Sequence, residues 1–160
     1  DGEYNARRAQ CEAAAMHYGV AALRDLEALP AQGSLDPVAW RRARNVVSEN
    51  ARTLAAADAL RAGDLSHLGT LMSASHISMR DDFQITLPAI DRLVAILSEA
   101  IGDVGGARMT GGGFGGAVVA VLAQERLKAA LAAVARDYRA PDGQRAEVMI
   151  ERPADGASLI

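Results

Sequence analysis

Two-thirds of the way along the chain, the six residues Gly111-Gly112-Gly113-Phe114-Gly115-Gly116 hold five glycines. Helix and strand interiors reject that density, because glycine loses more conformational freedom on ordering than any other residue. Ala107 to Thr110 leads into the run, and the uncharged, β-branched Ala117-Val118-Val119-Ala120-Val121-Leu122 leaves it. Two strand-length segments joined this way predict a hairpin whose second strand is buried on both faces or central in a sheet. A tight hairpin turn seldom needs more than two glycines. Two readings of the loop therefore stand: a loose turn, or a backbone without Cβ atoms that can approach a ligand and aim N–H groups at an anion. The number of glycines favours the second. No Lys-Ser or Lys-Thr follows, so the run is not a Walker A loop.

Upstream of Gly105 the period is helical. Asn5 reads as an N-cap for a helix with Ala9, Ala13 and Met16 inward and Gly19 past its end. Leu23 to Leu29 reads as a short segment closed by Pro30, before a loop at Ala31-Gln32-Gly33-Ser34. Asp36-Pro37 is the clearest start, a capping carboxylate followed by proline at the first helical position. That helix carries Ala39, Ala43, Val47, Leu54 and Leu60 along its apolar side and stops at Gly63; at about 26 residues it is roughly 39 Å long. Asp64 caps the next helix, with Leu65, Leu68, Met72 and Met79 inward. Pro88 opens a fourth, with Ile90, Leu93, Val94, Leu97 and Ile101 inward and Gly102 after it. Beyond the hairpin, Leu127, Ala130, Leu131, Val134 and Tyr138 mark a last amphipathic helix. Pro141-Asp142-Gly143 reads as a turn, Ala146 to Ile150 as a final strand, and the tail from Pro153 as an edge strand or a loose end. The sum is an α+β chain, a helical half followed by a small sheet with a helix packed on it.

Of the 160 residues 34 are Ala, so the bulky core is thinner than a half-hydrophobic composition implies. A net charge of -3 gives no broad footprint for nucleic acid. The dense basic cluster Arg41, Arg42 and Arg44 reads as a solvated or partner-facing helix face. A single cysteine, Cys11, allows no internal disulfide and reads as a small buried hydrophobe. No run has the length of a membrane span, and no signal-peptide pattern opens the chain. Asp1-Gly2-Glu3-Tyr4, without an initiator Met, reads like a cut inside a longer polypeptide. His17, His67 and His76 lack metal-ligand spacing, so no metal site is expected. Arg80, Asp81 and Asp82 read as a helix-end charge cluster that orders the turn into Phe83, since adjacent side chains on a helix diverge.

The segment Ala107-Arg108-Met109-Thr110 with Gly111 to Gly116 resembles the third motif of the GHMP kinases, in the triple-glycine form with Phe114 that marks the galactokinase family. Three further blocks are similar to that family in order and spacing. They are Tyr4-Asn5-Ala6-Arg7-Arg8-Ala9-Gln10-Cys11-Glu12, Arg41 to Glu49, and Ser75 to Phe83 with Thr86 and Pro88 beyond. One departure is Ala117, where the family often carries Cys. The resemblance covers residues 4 to about 122 of the C-terminal lobe. It implies the GHMP kinase C-terminal fold, a ferredoxin-like small sheet with an added helical bundle, over residues 1–160.

What the resemblance implies about chemistry divides between two lobes. Tyr4 becomes a substrate-binding residue that hydrogen-bonds the sugar; by pattern alone it reads as a hydrophobic staple before an N-cap. Gly111, Gly112, Gly113, Phe114, Gly115 and Gly116 become an active-site loop beside the nucleotide phosphates and the sugar. The family's phosphate loop, catalytic Asp, transition-state Arg and Mg²⁺ ligands have no counterpart in this sequence. The implied reaction is transfer of a phosphoryl group from ATP to galactose, dependent on Mg²⁺, in the cytoplasm, by a protein of which this chain is one lobe. No catalytic residue is assigned here, and the lobe alone is expected to be inactive. Galactose, ATP and the N-terminal lobe are the implied partners. Rival readings are a non-catalytic sensor paralogue that binds the same ligands, a free-standing ferredoxin-like module, and a kinase of another sugar or of an isoprenoid precursor.

Overall fold

A computed structural model describes residues 2–152. In chain order they form α1 (Gly2–His17), α2 (Pro37–Ala62), α3 (Leu65–Ser78), α4 (Pro88–Ile101), β1 (Gly105–Thr110), β2 (Ala117–Leu122) and α5 (Leu127–Asp137). The expected α+β order, helices first and then a hairpin with a helix after it, is the one formed.

Most boundaries follow the local chemistry read from the sequence. Asp36 Oδ1 accepts the Val38 and Ala39 N–H groups at 2.9 and 3.0 Å and so caps α2. Gly63 closes α2 with φ 66°, and Asp64 Oδ1 accepts from His67 N at 2.9 Å to start α3. Two boundaries differ. Helix α1 already runs from Gly2, so Asn5 lies inside it rather than capping it. The segment Leu23 to Leu29 forms one 3-10 turn, Leu23–Asp25, which buries Leu23 against α1 and α2.

The inward faces correct the sequence reading in two helices. On α1, Ala14 and Ala15 are buried, while Ala9, Ala13 and Met16 are exposed. Alanine occurs all round this helix, so apolar periodicity had no phase to detect. The inner side also carries Arg7, Gln10 and Cys11, all partly buried. On α2, Ala39, Ala43 and Val47 are buried as expected, but Leu54 and Leu60 are exposed. The inward row there includes Arg42 and Asn45, polar groups that are buried because they find partners on other elements.

The hairpin is antiparallel, with Gly105 opposite Leu122 and Thr110 opposite Ala117. The strand covered on both faces is β1, packed between α3 and α4, with Gly105, Gly106, Ala107 and Met109 buried. The expectation that Ala117 to Leu122 would be the buried strand is therefore corrected: Ala117 and Val119 are exposed. Among the described residues β2 has β1 as its only strand neighbour. Ala146 to Ile150 has no strand partner among the described residues and is not a strand, and Val148, Met149 and Ile150 are exposed. Strand propensity without a ladder partner does not suffice. The turn at Pro141-Asp142-Gly143 forms, with Gly143 N donating to Ala140 O at 2.8 Å. The tail from Pro153 lies outside the described residues.

Backbone contact sets the depth at which β1 lies. A Cβ on Gly106 would come within 2.7 Å of Gly69 Cα, and one on Gly69 would overlap the Gly105 carbonyl. Only glycine on both sides lets α3 and β1 approach this closely. Met79, Ile85, Ile90 and Met109 then form a small core directly under the glycine loop.

Candidate functional site

The glycine loop joins β1 to β2, and its tip rests on the segment that follows α3. That segment begins with a π turn, Met79–Phe83, and continues through Gln84 and Ile85. Phe114 N donates to Ile85 O at 2.7 Å. A Cβ on Gly113, where φ is 85°, would lie 2.7 Å from Ile85 Cβ and 3.0 Å from Ile85 O. The close approach expected at this glycine is therefore to Ile85 itself, and the Phe114 N–H is already used. Gly111, Gly112 and Gly115 differ: a Cβ there would meet nothing within 4 Å. These positions present bare backbone outward.

The turn carrying Ile85 is held by cations from two helices. Arg42, 2 % exposed, donates to Gln10 Oε1 and Gln84 Oε1, each at 2.8 Å, and to Asp82 O. Burial pushes the Arg42 guanidinium down, and the neighbouring Arg7 and Arg41 add to that. Arg44 forks onto the Asp82 carboxylate, with Nε to Oδ2 at 3.0 Å, and its guanidinium lies over Trp40 at 5.0 Å. That bond to Asp82 raises the Arg44 pKa. Ser78 Oγ donates to Asn45 Oδ1 at 2.9 Å beside the same carboxylate. The reading of Arg41, Arg42 and Arg44 as a solvated or partner-facing face is thus corrected at Arg42, which is buried against the Asp82 turn; Arg44 stays exposed while it bonds the Asp82 carboxylate, a partner a sequence window on α2 does not contain. The reading of Arg80, Asp81 and Asp82 holds. Arg80 pairs with Asp81 at 2.8 Å and holds its carboxyl below the usual range, while Asp82 orders the turn.

Tyr4 lies in the first turn of α1, 62 % exposed, and so is not the staple that a cap at Asn5 would have made it. One turn on, Arg7 reaches the Phe83–Gln84 backbone and stacks on Phe114. By helical spacing Tyr4 and Arg7 share a side of α1. The structure thus brings α1, the turn after α3 and the glycine loop together. Arg7, Arg42, Gln84 and Ile85 were not assigned to the site from sequence. The available signal was polarity at inward helical positions: Arg7 and Gln10 fall in register with Cys11 and Ala14, and Arg42 lies between Ala39 and Ala43.

Behind the loop, His76 is 5 % exposed; its Nδ1 accepts from Met109 N at 3.4 Å, and its Nε2 lies 3.2 Å from Asp91 Oδ1, poorly aligned for a hydrogen bond. Arg108 reaches from β1 to Ser75 Oγ at 2.9 Å and to Glu49 Oε2 at 3.6 Å. Cys11 is half-buried, and burial pushes its thiol pKa up. Among the described residues no group of three or more His, Cys, Asp and Glu is placed to hold a metal ion. Nor is any helix long and apolar enough to cross a membrane. Two open surface concavities, one beside Cys11 and Leu23 and one beside Gly69 and Gly106, include neither Tyr4 nor the glycine loop.

Residues 56–140 match the GHMP kinases C terminal family, over more than half of the chain. The chain belongs to that family. Its structure is also similar to that of Lactococcus lactis galactokinase complexed with galactose, with 33% identity and a TM-score of 0.77. The match covers 85% of this chain and 37% of that galactokinase, so the chain spans little more than a third of it. The GHMP C-terminal fold and the likeness to galactokinase, both expected from the sequence blocks, stand. The chain therefore has the fold of the GHMP kinase C-terminal part, in the form seen in galactokinase.

Proposed function

We infer that this chain is the C-terminal lobe of a galactokinase, working with an N-terminal lobe that supplies the phosphate loop, the catalytic carboxylate and the Mg²⁺ ligands. The observation that carries this is the 33% identity to a galactokinase across 85% of the chain, in a lobe of matching fold. Tyr4 is the sugar contact, and Gly111 to Gly116 lie beside the nucleotide phosphates and the sugar at the lobe interface. Two features support that assignment. Gly111, Gly112 and Gly115 leave open backbone where a ligand or the facing lobe can come close. Tyr4 stands exposed on the helix that reaches the loop through Arg7. The family resemblance assigns Mg²⁺ and most of the ATP contacts to the other lobe; among the described residues no group of three or more His, Cys, Asp and Glu is placed to hold a metal ion. The place of action is the cytoplasm.

The test is ADP release by the full-length protein with ATP and Mg²⁺, offered galactose, N-acetylgalactosamine, glucose or mevalonate in turn. Galactose should give the highest kcat/KM, and residues 1–160 alone should give none. Preference for another acceptor, or no turnover with any, would overturn the assignment.

A further inference from the structure

Among the described residues, the two non-glycine residues with left-handed φ are Gln84, at 55°, and Phe114, at 56°. Both touch Arg7. Its Nη2 donates to Gln84 O at 2.9 Å, its Nε donates to Phe83 O at 2.8 Å, and its guanidinium carbon lies 5.3 Å from the centre of the Phe114 ring. A third nitrogen, Nη1, pairs with Glu3 at 3.1 Å, which fixes the plane of the group from its own helix. The side chain is only 13% exposed. Backbone strain at two positions that share one partner persists only where the surroundings hold it, and such positions cluster where a chain does chemistry.

We propose that Arg7 is the positioning residue of the glycine loop, clamping Phe114 and the Phe83–Gln84 carbonyls so that the open glycines keep one shape. The geometry is specific to arginine. Two donors engage successive carbonyls while the flat face covers the ring, which a lysine ammonium cannot reproduce. Phe114 is the handle: its N–H holds Ile85 and its ring holds Arg7, so the loop is gripped from both sides. Arg7 need touch neither sugar nor nucleotide. This role rests on the reading of the loop as part of the kinase site.

The experiment uses the full-length protein with Arg7→Ala, Arg7→Lys, Phe114→Leu and the Arg7→Lys/Phe114→Leu pair, with Arg8→Ala as control. Among the described residues Arg8 pairs only with exposed Glu12, and its variant should behave as wild type. Amide hydrogen exchange at Phe114 reads the clamp directly. It should speed up in Arg7→Ala and Arg7→Lys, while amides in the middle of α2 stay protected. Galactose-dependent kcat/KM should fall roughly ten- to a hundredfold, the loss expected when a reacting group is misplaced by up to ~1 Å. The double variant should lose no more than the worse single one, since both act through one contact. Should Arg7→Ala fail to fold, Arg7→Lys and Phe114→Leu carry the test. Unchanged Phe114 exchange in Arg7→Lys, or losses that multiply in the double variant, would overturn the proposal. Absence of galactose turnover in the wild type would overturn the kinase reading instead, and the exchange data would still decide the role of Arg7.

Discussion

Gly112 and Gly113 are adjacent, yet they meet different demands. Gly113 has φ 85° and the Ile85 side chain and carbonyl where its Cβ would be; Gly112 has neither constraint. Gly113→Val should therefore cost stability, by about 1–3 kcal/mol for overpacking and a similar amount for the backbone conformation. At about 2–4 °C per kcal/mol for a domain of this size, the melting temperature should drop visibly. Gly112→Ala should stay within about 0.5 kcal/mol of wild type, as exposed substitutions do. If Gly112 faces a ligand, that variant loses galactose-dependent ADP release at an unchanged melting temperature. Full activity in Gly112→Ala, measured in the full-length protein, would reduce the loop to a turn. The glycine run was legible as a loop that something approaches. That the approaching group at Gly113 is Ile85 was not, because the contact joins distant segments and leaves no local pattern.

Caps and turns were the most readable features at the scale of elements. Asp36, Gly63, Asp64, Pro88 and Gly102 act within one helical turn of themselves, and each bounds its helix as expected. Faces were read less well. The alanines of α1 gave no phase, and the Arg42 and Asn45 positions of α2 are inward through bonds to Gln10, Gln84, Asp82 and Ser78. The segment Ala146 to Ile150 has strand composition, but its pairing depends on a neighbour the segment itself cannot specify. A further consequence concerns His76, which sits where α3, α4 and β1 meet. Burial holds its pKa below the ordinary 6.5; Asp91 on α4 offsets this in part, while Arg80 and Arg108 reinforce it. The native state thus favours the neutral ring more than the unfolded chain does. Its contribution to stability is complete above pH ~6.5 and is lost as the pH falls through the lower native value. Urea midpoints measured between pH 7.5 and 5 should decline more steeply for the full-length wild type than for His76→Gln, which keeps an acceptor for Met109 N–H. Parallel curves would contradict this.

For the whole molecule, the fold class was legible from the switch of period at Gly105, and the family from four short blocks in order. The blocks at Tyr4, Arg41, Ser75 and Arg108 are scattered in sequence, yet they meet around one turn. Arg7 and Arg42 hold the Phe83–Gln84 backbone, Asp82 answers Arg44, and the glycine loop rests on Ile85. That convergence supplies a physical reason for the blocks to occur together, and it leaves Tyr4, Gly111 and Gly112 exposed. The most direct measurement is amide hydrogen exchange of the full-length protein, with and without galactose plus a non-hydrolysable ATP analogue. Slower exchange is expected at Gly111 to Gly116, with the exposed face of α5 unchanged. Ligand binding that leaves Gly111 to Gly116 exchanging at the free rate would contradict it.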